Sequence, residues 1–185
     1  MPEPVDPVDR REIINVEWDG PYRFWDRPSQ LDTVVSSLMG PTDYGVYQIY
    51  GGHPVYGNSA LLYIGMAVAQ EFGKRIPQEK HWLENRDAGR VEVYVGRLHG
   101  SQTPDDVTWE RLIKLAERLL IHVHAPPMNI QKSLARLGPE LRLVHVCNWG
   151  YHRDLMPEVS GLRWSSLDED FPDYQVFDCE KGPDA

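Results

Sequence analysis

The chain has 185 residues, of which 41% are hydrophobic and 25% charged, as in an ordinary globular domain. This length fits one domain with extensions, and no apolar run approaches the roughly 20 residues of a membrane span. Cys147 and Cys179 provide no disulfide framework, and the N-terminus has no signal-peptide pattern. We therefore expect a cytoplasmic protein with no membrane partner.

The net charge of −9 argues at first against a nucleic-acid partner, but the acidic residues are unevenly distributed. Residues 63–136 contain 11 Lys and Arg against 9 Asp and Glu, whereas residues 168–185 contain seven acids and one lysine. We predict a disordered or loose N-terminus over 1–12, one domain over 13–164 and an acidic tail over 165–185. The tail is either simply solvated or shields a basic groove.

Two elements are predicted before the central part of the chain. Ile13 to Trp18 has the composition of a strand that extends the sheet. Ser29 to Met39 is a predicted helix, because apolar residues recur at i, i+3, i+4, i+7 and i+8. Ser29 and Asp32 have the spacing of a helix cap, and Gly40-Pro41 ends the helix.

A hairpin is predicted next. Tyr44 to Tyr50 and Leu61 to Ile64 are rich in aromatic and β-branched residues, as strands are. The segment between them is dense in Gly, Pro, Asn and Ser, which favour a turn. The simplest interpretation is an antiparallel hairpin that carries Tyr47 and Tyr63.

The second half of the chain alternates helices and strands. Ala67 to Ile76 is a predicted short helix, and Val91 to Leu98 alternates like a strand that completes a three-stranded sheet. Thr103 and the three residues after it start a helix that runs to about Ile121, with Thr103 as the capping residue. Leu141 to Val146 is a further predicted strand, and Cys147 to Trp164 is loop-like. These elements predict an α+β fold with a small, mainly antiparallel central sheet flanked by helices.

Glu117 is the charged residue of the second long helix that invites a chemical interpretation. It lies four residues after Ile113 and borders an apolar row, so its carboxylate is expected to be partly desolvated. One interpretation is a surface glutamate paired with Arg111 or Arg118; the other is a metal ligand. A proline-containing turn follows the helix and ends at Asn129, 12 residues after Glu117.

These features together resemble the GIY-YIG nuclease family over roughly residues 44–131. Gly45-Val46-Tyr47 and Tyr63-Ile64-Gly65 match the two half-motifs, with Val46 in place of isoleucine. The helix glutamate, the proline-containing turn and the asparagine match the family's third landmark. The resemblance implies a GIY-YIG-like fold and a metal-dependent endonuclease that hydrolyses phosphodiester bonds. A compact restriction-type enzyme is the best fit.

The resemblance also implies roles for individual residues. Tyr47 would be the general base or would position the attacking water, and Tyr63 would assist it. A free tyrosine has a pKa of about 10, so a basic role needs a nearby cation to favour the phenolate. Arg75 would bind the scissile phosphate through its planar fork. His81, a looser match, would assist proton transfer.

Glu117 would be the ligand of one hard divalent cation, Mg²⁺ or Mn²⁺, whose other ligands are water and substrate oxygens. Asn129 would hold Glu117 or the hairpin in place. The implied partner is a DNA substrate, with RNA not excluded, and a homodimer would allow both strands to be cut.

Two alternatives remain open at the level of sequence. The first is a catalytically inactive GIY-YIG-like module that binds nucleic acid or protein, which the acidic balance favours. The second is a structural zinc site among residues in two clusters: His122, His124, His145, Cys147 and His152. No C-x-x-C or H-x-x-x-H spacing supports zinc.

Overall fold

The computed structural model describes residues 11–23, 28–79, 91–129 and 137–164. The predicted acidic tail, most of the predicted N-terminal segment and His81 lie outside these residues. Within them, no helix is both long and apolar enough to cross a membrane. The elements are β1 (Glu12–Tyr22), α1 (Pro28–Ser37), β2 (Gly45–His53), β3 (Gly57–Ala67), α2 (Phe72–Arg75), β4 (Glu92–His99), α3 (Asp106–His124), β5 (Val144–Gly150), β6 (Glu158–Ser160) and α4 (Gly161–Trp164), with short 3₁₀ helices at Ile76–Gln78 and Pro139–Leu141.

One mixed six-stranded sheet organises the fold, in the order β3-β2-β4-β1-β5-β6. Only β1 and β5 pair in parallel among the described strands; the other neighbours are antiparallel. The predicted α+β class and mainly antiparallel sheet are therefore confirmed. The predicted three-stranded unit is present as β3-β2-β4, but β1, β5 and β6 extend it on one side.

Helices cover both faces of this sheet. On one face, Ile113 and Leu120 of α3 pack with Val46 of β2 and Ile64 of β3. On the other face, the α1–α2 region packs against Tyr47 and neighbouring apolar residues of β2 and β4. Because side chains alternate along a strand, β2 sends successive residues to opposite cores, and its residues from Gly45 to Gly51 are buried.

The predicted helix Ala67–Ile76 is wrong in extent. Ala67 is the last residue of β3, where it pairs with Gly45, and the helix is the single turn Phe72–Arg75. Hydrogen bonding along β2 overrides the local helical pattern there. The helix predicted from Ser29 to Met39 is present as α1, with bounds Pro28–Ser37.

The long helix α3 is confirmed, but both predicted ends are corrected. Asp105, and not Thr103, is the cap, because its carboxylate accepts a hydrogen bond from the Thr108 N–H at 3.0 Å. The helix continues past Ile121 to His124 and ends where Ala125 adopts a left-handed conformation with φ 43°.

The region after α3 is more ordered than the sequence predicts. Leu141 belongs to a 3₁₀ helix, and the predicted loop from Cys147 contains the end of β5, then β6 and α4. Asn148 explains part of this order. Its side chain accepts from the Trp18 indole at 2.8 Å and donates to the Met156 carbonyl at 2.8 Å.

Candidate active site

The hairpin places the two half-motif tyrosines side by side. Tyr47 pairs with Gly65, and Ile49 pairs with Tyr63, so the tyrosines are diagonal neighbours on adjacent strands. Their ring centroids are 6.1 Å apart, and the rings are inclined by 43°. Tyr47 is fully buried and Tyr63 is partly exposed, both on the face that carries α1 and α2.

The ring of Tyr47 packs against the backbone of Gly65. A Cβ atom on Gly65 would lie 2.5 Å from both Cζ and Oη of Tyr47 and 2.7 Å from Cε1 of Tyr63. Real Cβ atoms do not approach so closely, so the tyrosine ring lies directly on the glycine backbone. The lack of a side chain at Gly65, in the second half-motif, therefore leaves room for the ring of Tyr47, in the first half-motif.

Gly65→Ala is expected to displace the Tyr47 hydroxyl and to destabilise the fold by about 1–3 kcal/mol, as overpacking of a core does. Urea unfolding measures the stability. Gly100→Ala is the matched control, because its nearest contact would be an ordinary 3.8 Å, and it should change stability by less than about 0.5 kcal/mol. Equal stability of the two variants would contradict this packing argument.

Glu79, which sequence reasoning did not identify, joins two of the predicted residues. Its Oε1 accepts a hydrogen bond from the Tyr47 hydroxyl at 2.9 Å and lies 2.5 Å from Nη2 of Arg75. Glu79 is 9% exposed. The only signal in the sequence is the spacing of four residues between Arg75 and Glu79, which is typical of helical ion pairs.

The protonation of Tyr47 follows from this environment. Burial, and then the nearby Tyr63 and Glu79, raise the pKa of Tyr47, and the opposing effect of Arg75 is smaller. Burial and the charges of Glu79 and Glu117 likewise raise the pKa of Tyr63. In the resting site Tyr47 is therefore a neutral phenol that donates to a carboxylate, and Arg75 does not produce a phenolate.

Glu117 belongs to α3, whose apolar residues pack on the opposite face of the sheet from Tyr47 and Tyr63. The helix packs against β3, which is the end strand of the sheet, and the charge of Glu117 contributes to the raised pKa of Tyr63. Glu117 is 2% exposed, so it is not a surface glutamate. The two arginines proposed as its surface partners pair elsewhere, Arg111 with Glu12 and Arg118 with Glu140.

Asn129 fixes the strand beside Tyr63. Its side-chain oxygen accepts from the Ile64 N–H, and its amide donates to the Ile64 carbonyl, both at 2.9 Å. The preceding Met128 N–H donates to the Leu62 carbonyl at 3.0 Å. The turn after α3 thus binds the backbone of β3, which sets the position of Glu117's helix relative to the hairpin.

Asn129→Ala is expected to leave two buried backbone groups without partners and to cost about 2–4 kcal/mol of unfolding free energy. Thermal or urea unfolding measures the loss. The matched control is Asn58→Ala, at an exposed position of the same strand, which should cost less than about 0.5 kcal/mol. If Asn129→Ala is no less stable than the control, the two hydrogen bonds between the Asn129 side chain and the Ile64 backbone do not stabilise the fold.

The site thus joins Tyr47, Tyr63 and Arg75 of the predicted residues with Glu79, and Glu117 lies within electrostatic reach of Tyr63. Asn129 supports it from behind β3. His81 lies outside the described residues. Comparisons of the chain with protein-family models, with curated proteins and with solved structures give no significant match.

The histidines of the alternative zinc interpretation do not form one potential metal-binding group among the residues that the structure describes. His124 has backbone partners on both ring nitrogens: the Leu120 carbonyl lies 3.0 Å from Nδ1, and the Met156 N–H donates to Nε2 at 2.9 Å. Burial lowers the pKa of His124, which fits a neutral ring in this position. Nδ1 of His152 lies 2.9 Å from the Leu155 carbonyl. These two histidines have structural roles.

Proposed function

We propose that this protein is a metal-dependent nuclease of the GIY-YIG type that hydrolyses phosphodiester bonds of DNA. One observation carries the proposal. Tyr47 and Arg75 share the carboxylate of Glu79, the Tyr63 ring lies beside that of Tyr47, and Glu117 of α3 is near enough for its charge to raise the pKa of Tyr63. Scaffold packing alone gives no reason to gather two tyrosines, an arginine and two carboxylates there.

The raised pKa of Tyr47 favours a proton relay over a resting phenolate. The attacking water gives a proton to the Tyr47 oxygen as the Tyr47 hydroxyl gives its own proton to Oε1 of Glu79. The water oxygen then bonds to phosphorus, the bond from phosphorus to the leaving oxygen breaks, and the leaving oxygen takes up a proton from solvent. In this scheme Glu79 is the final proton acceptor, and Tyr47 conducts the proton to it.

Arg75 and Glu117 supply the charges that the reaction needs. The guanidinium of Arg75 has donors besides the Nη2 that faces Glu79, and these would bind the phosphate. Glu117 offers the hard oxygen donor that Mg²⁺ or Mn²⁺ prefers, with water and substrate oxygens as further ligands. When bound, such a cation stabilises negative charge on the phosphate oxygens.

A rival function is a catalytically inactive module that binds nucleic acid or a protein partner. Two observations favour it: the net charge of −9, and the ion pair in which Glu79 already offsets the charge of Arg75. A cytoplasmic location remains part of either proposal, and the free thiol of Cys147 is compatible with such a reducing compartment. A homodimer belongs to the nuclease proposal, because one site cuts one strand.

Incubation of the native chain with duplex DNA, single-stranded DNA and RNA in Mg²⁺ or Mn²⁺ tests the proposal. We expect metal-dependent cleavage of DNA. Binding that weakens steeply with salt, without cleavage in either cation, would support the inactive module instead. Cleavage of RNA alone would keep the nuclease chemistry and overturn the DNA assignment.

A further inference from the structure

A cluster of potential metal ligands lies at the other end of the sheet from the candidate active site. His145 and Cys147 alternate on β5, so they point to the same face, away from the core that Val144 and Val146 enter. Glu158 of β6 is the cross-strand partner of Cys147. The ligand atoms of the three residues all lie within 4.8 Å of one another.

One of the three distances between ligand atoms already matches that of a tetrahedral zinc site. Bonds of about 2.0–2.3 Å to zinc place neighbouring ligand atoms of a tetrahedral site about 3.3–3.7 Å apart. Nε2 of His145 is already 3.5 Å from Oε2 of Glu158. Glu158 is an exposed side chain, 70% accessible, so it can rotate the short remaining distance towards Cys147 without disturbing the core.

The types of donor select the metal. A thiolate and an imidazole favour zinc and disfavour Mg²⁺ and Ca²⁺, which require oxygen ligands. The H-x-C spacing, read in sequence, matches no zinc motif, because the third ligand comes from a strand that only the fold brings alongside. The candidate ligands thus come from two paired strands, β5 and β6.

We propose that His145, Cys147 and Glu158 bind one Zn²⁺ ion, with water in the fourth position. Binding replaces the thiol proton of Cys147, which leaves to solvent, by a sulfur–zinc bond. The ion ties the three-residue strand β6 to β5 and thereby stabilises the end of the sheet. This site is independent of the proposed nuclease centre, since the sheet order puts β4 and β1 between β2 and β5.

Cobalt substitution tests the proposal on the full chain stripped of metal with a chelator. Addition of Co²⁺ should produce a thiolate-to-cobalt charge-transfer band and the visible bands of tetrahedral cobalt, and Zn²⁺ should displace it at one ion per chain. Cys147→Ser should abolish the charge-transfer band, and His145→Ala and Glu158→Gln should each weaken Zn²⁺ binding at least about tenfold.

Two control variants make the result decisive. Cys179→Ser removes the only other cysteine and should keep the charge-transfer band. Glu117→Gln removes the proposed Mg²⁺ ligand and should also keep it. Absence of the band in the native chain, or its loss in Cys179→Ser with retention in Cys147→Ser, would overturn the proposal. The thiol and the His145–Glu158 pair would then be ordinary surface groups.

Discussion

Replacement of Glu117 by glutamine is expected to lower Mg²⁺-dependent DNA cleavage at least about 1,000-fold. The loss follows because the proposed cation contributes several kcal/mol of charge stabilisation, and each 1.4 kcal/mol or so is a factor of ten in rate. Glutamine has nearly the shape of glutamate and keeps hydrogen-bonding groups, so the buried position should stay filled. Single-turnover cleavage of plasmid DNA measures the rate, and circular dichroism with thermal unfolding checks the fold.

The matched control lies on the same helix. Glu110 is about half exposed and pairs with Lys114, so Glu110→Gln should cut at nearly the native rate. Cleavage by Glu117→Gln at the rate of this control would contradict the role given to Glu117. A variant that loses activity only because it unfolds would indicate that the carboxylate is structural.

Tyr47→Phe and Glu79→Gln are each expected to slow cleavage by about 100- to 10,000-fold, the range of general acid–base catalysis. Tyr47→Phe removes the hydroxyl that conducts the proton, and Glu79→Gln removes the carboxylate that accepts it. Because both act on one proton path, the double variant should be no slower than the slower single variant. Single-turnover rates of the three variants form a complete double-mutant cycle.

Tyr56→Phe is the control for loss of a tyrosine hydroxyl, since Tyr56 is 67% exposed at the hairpin tip, and it should leave the rate unchanged. If the losses from Tyr47→Phe and Glu79→Gln multiply, the two residues act independently and the relay is wrong. If only Tyr47→Phe is slow, Glu79 merely positions Arg75.

The parts of the fold that the sequence predicts are those with strong local periodicity. The hairpin of Tyr47 and Tyr63 and the helix of Glu117 follow from alternation in strands and the apolar rows of α3. The ends of these elements do not, because they depend on competing contacts. Ala67 joins a strand through its pairing with Gly45, and Asp105 takes the cap through one hydrogen bond.

The parts of the site that the sequence misses depend on distant pairing. Glu79 is 32 residues from Tyr47, and nothing local shows that its carboxylate reaches that hydroxyl. The His145–Cys147–Glu158 group requires β6 to lie beside β5, and β6 is a strand of three residues inside a segment with loop composition. A strand of three residues is too short to show an alternating hydrophobic pattern, so β6 is recognised only from its pairing with β5.

Cleavage of supercoiled plasmid by the native chain, with Mg²⁺ and with Mg²⁺ plus a chelator, tests the central claim most directly. We predict nicked and linear DNA with Mg²⁺, no product with the chelator, and no product from folded Glu117→Gln. Intact plasmid in Mg²⁺ and Mn²⁺ over varied DNA sequences, from a chain that is folded, would contradict the nuclease assignment. The residues of the candidate active site would then belong to a module that binds nucleic acid or protein without cutting.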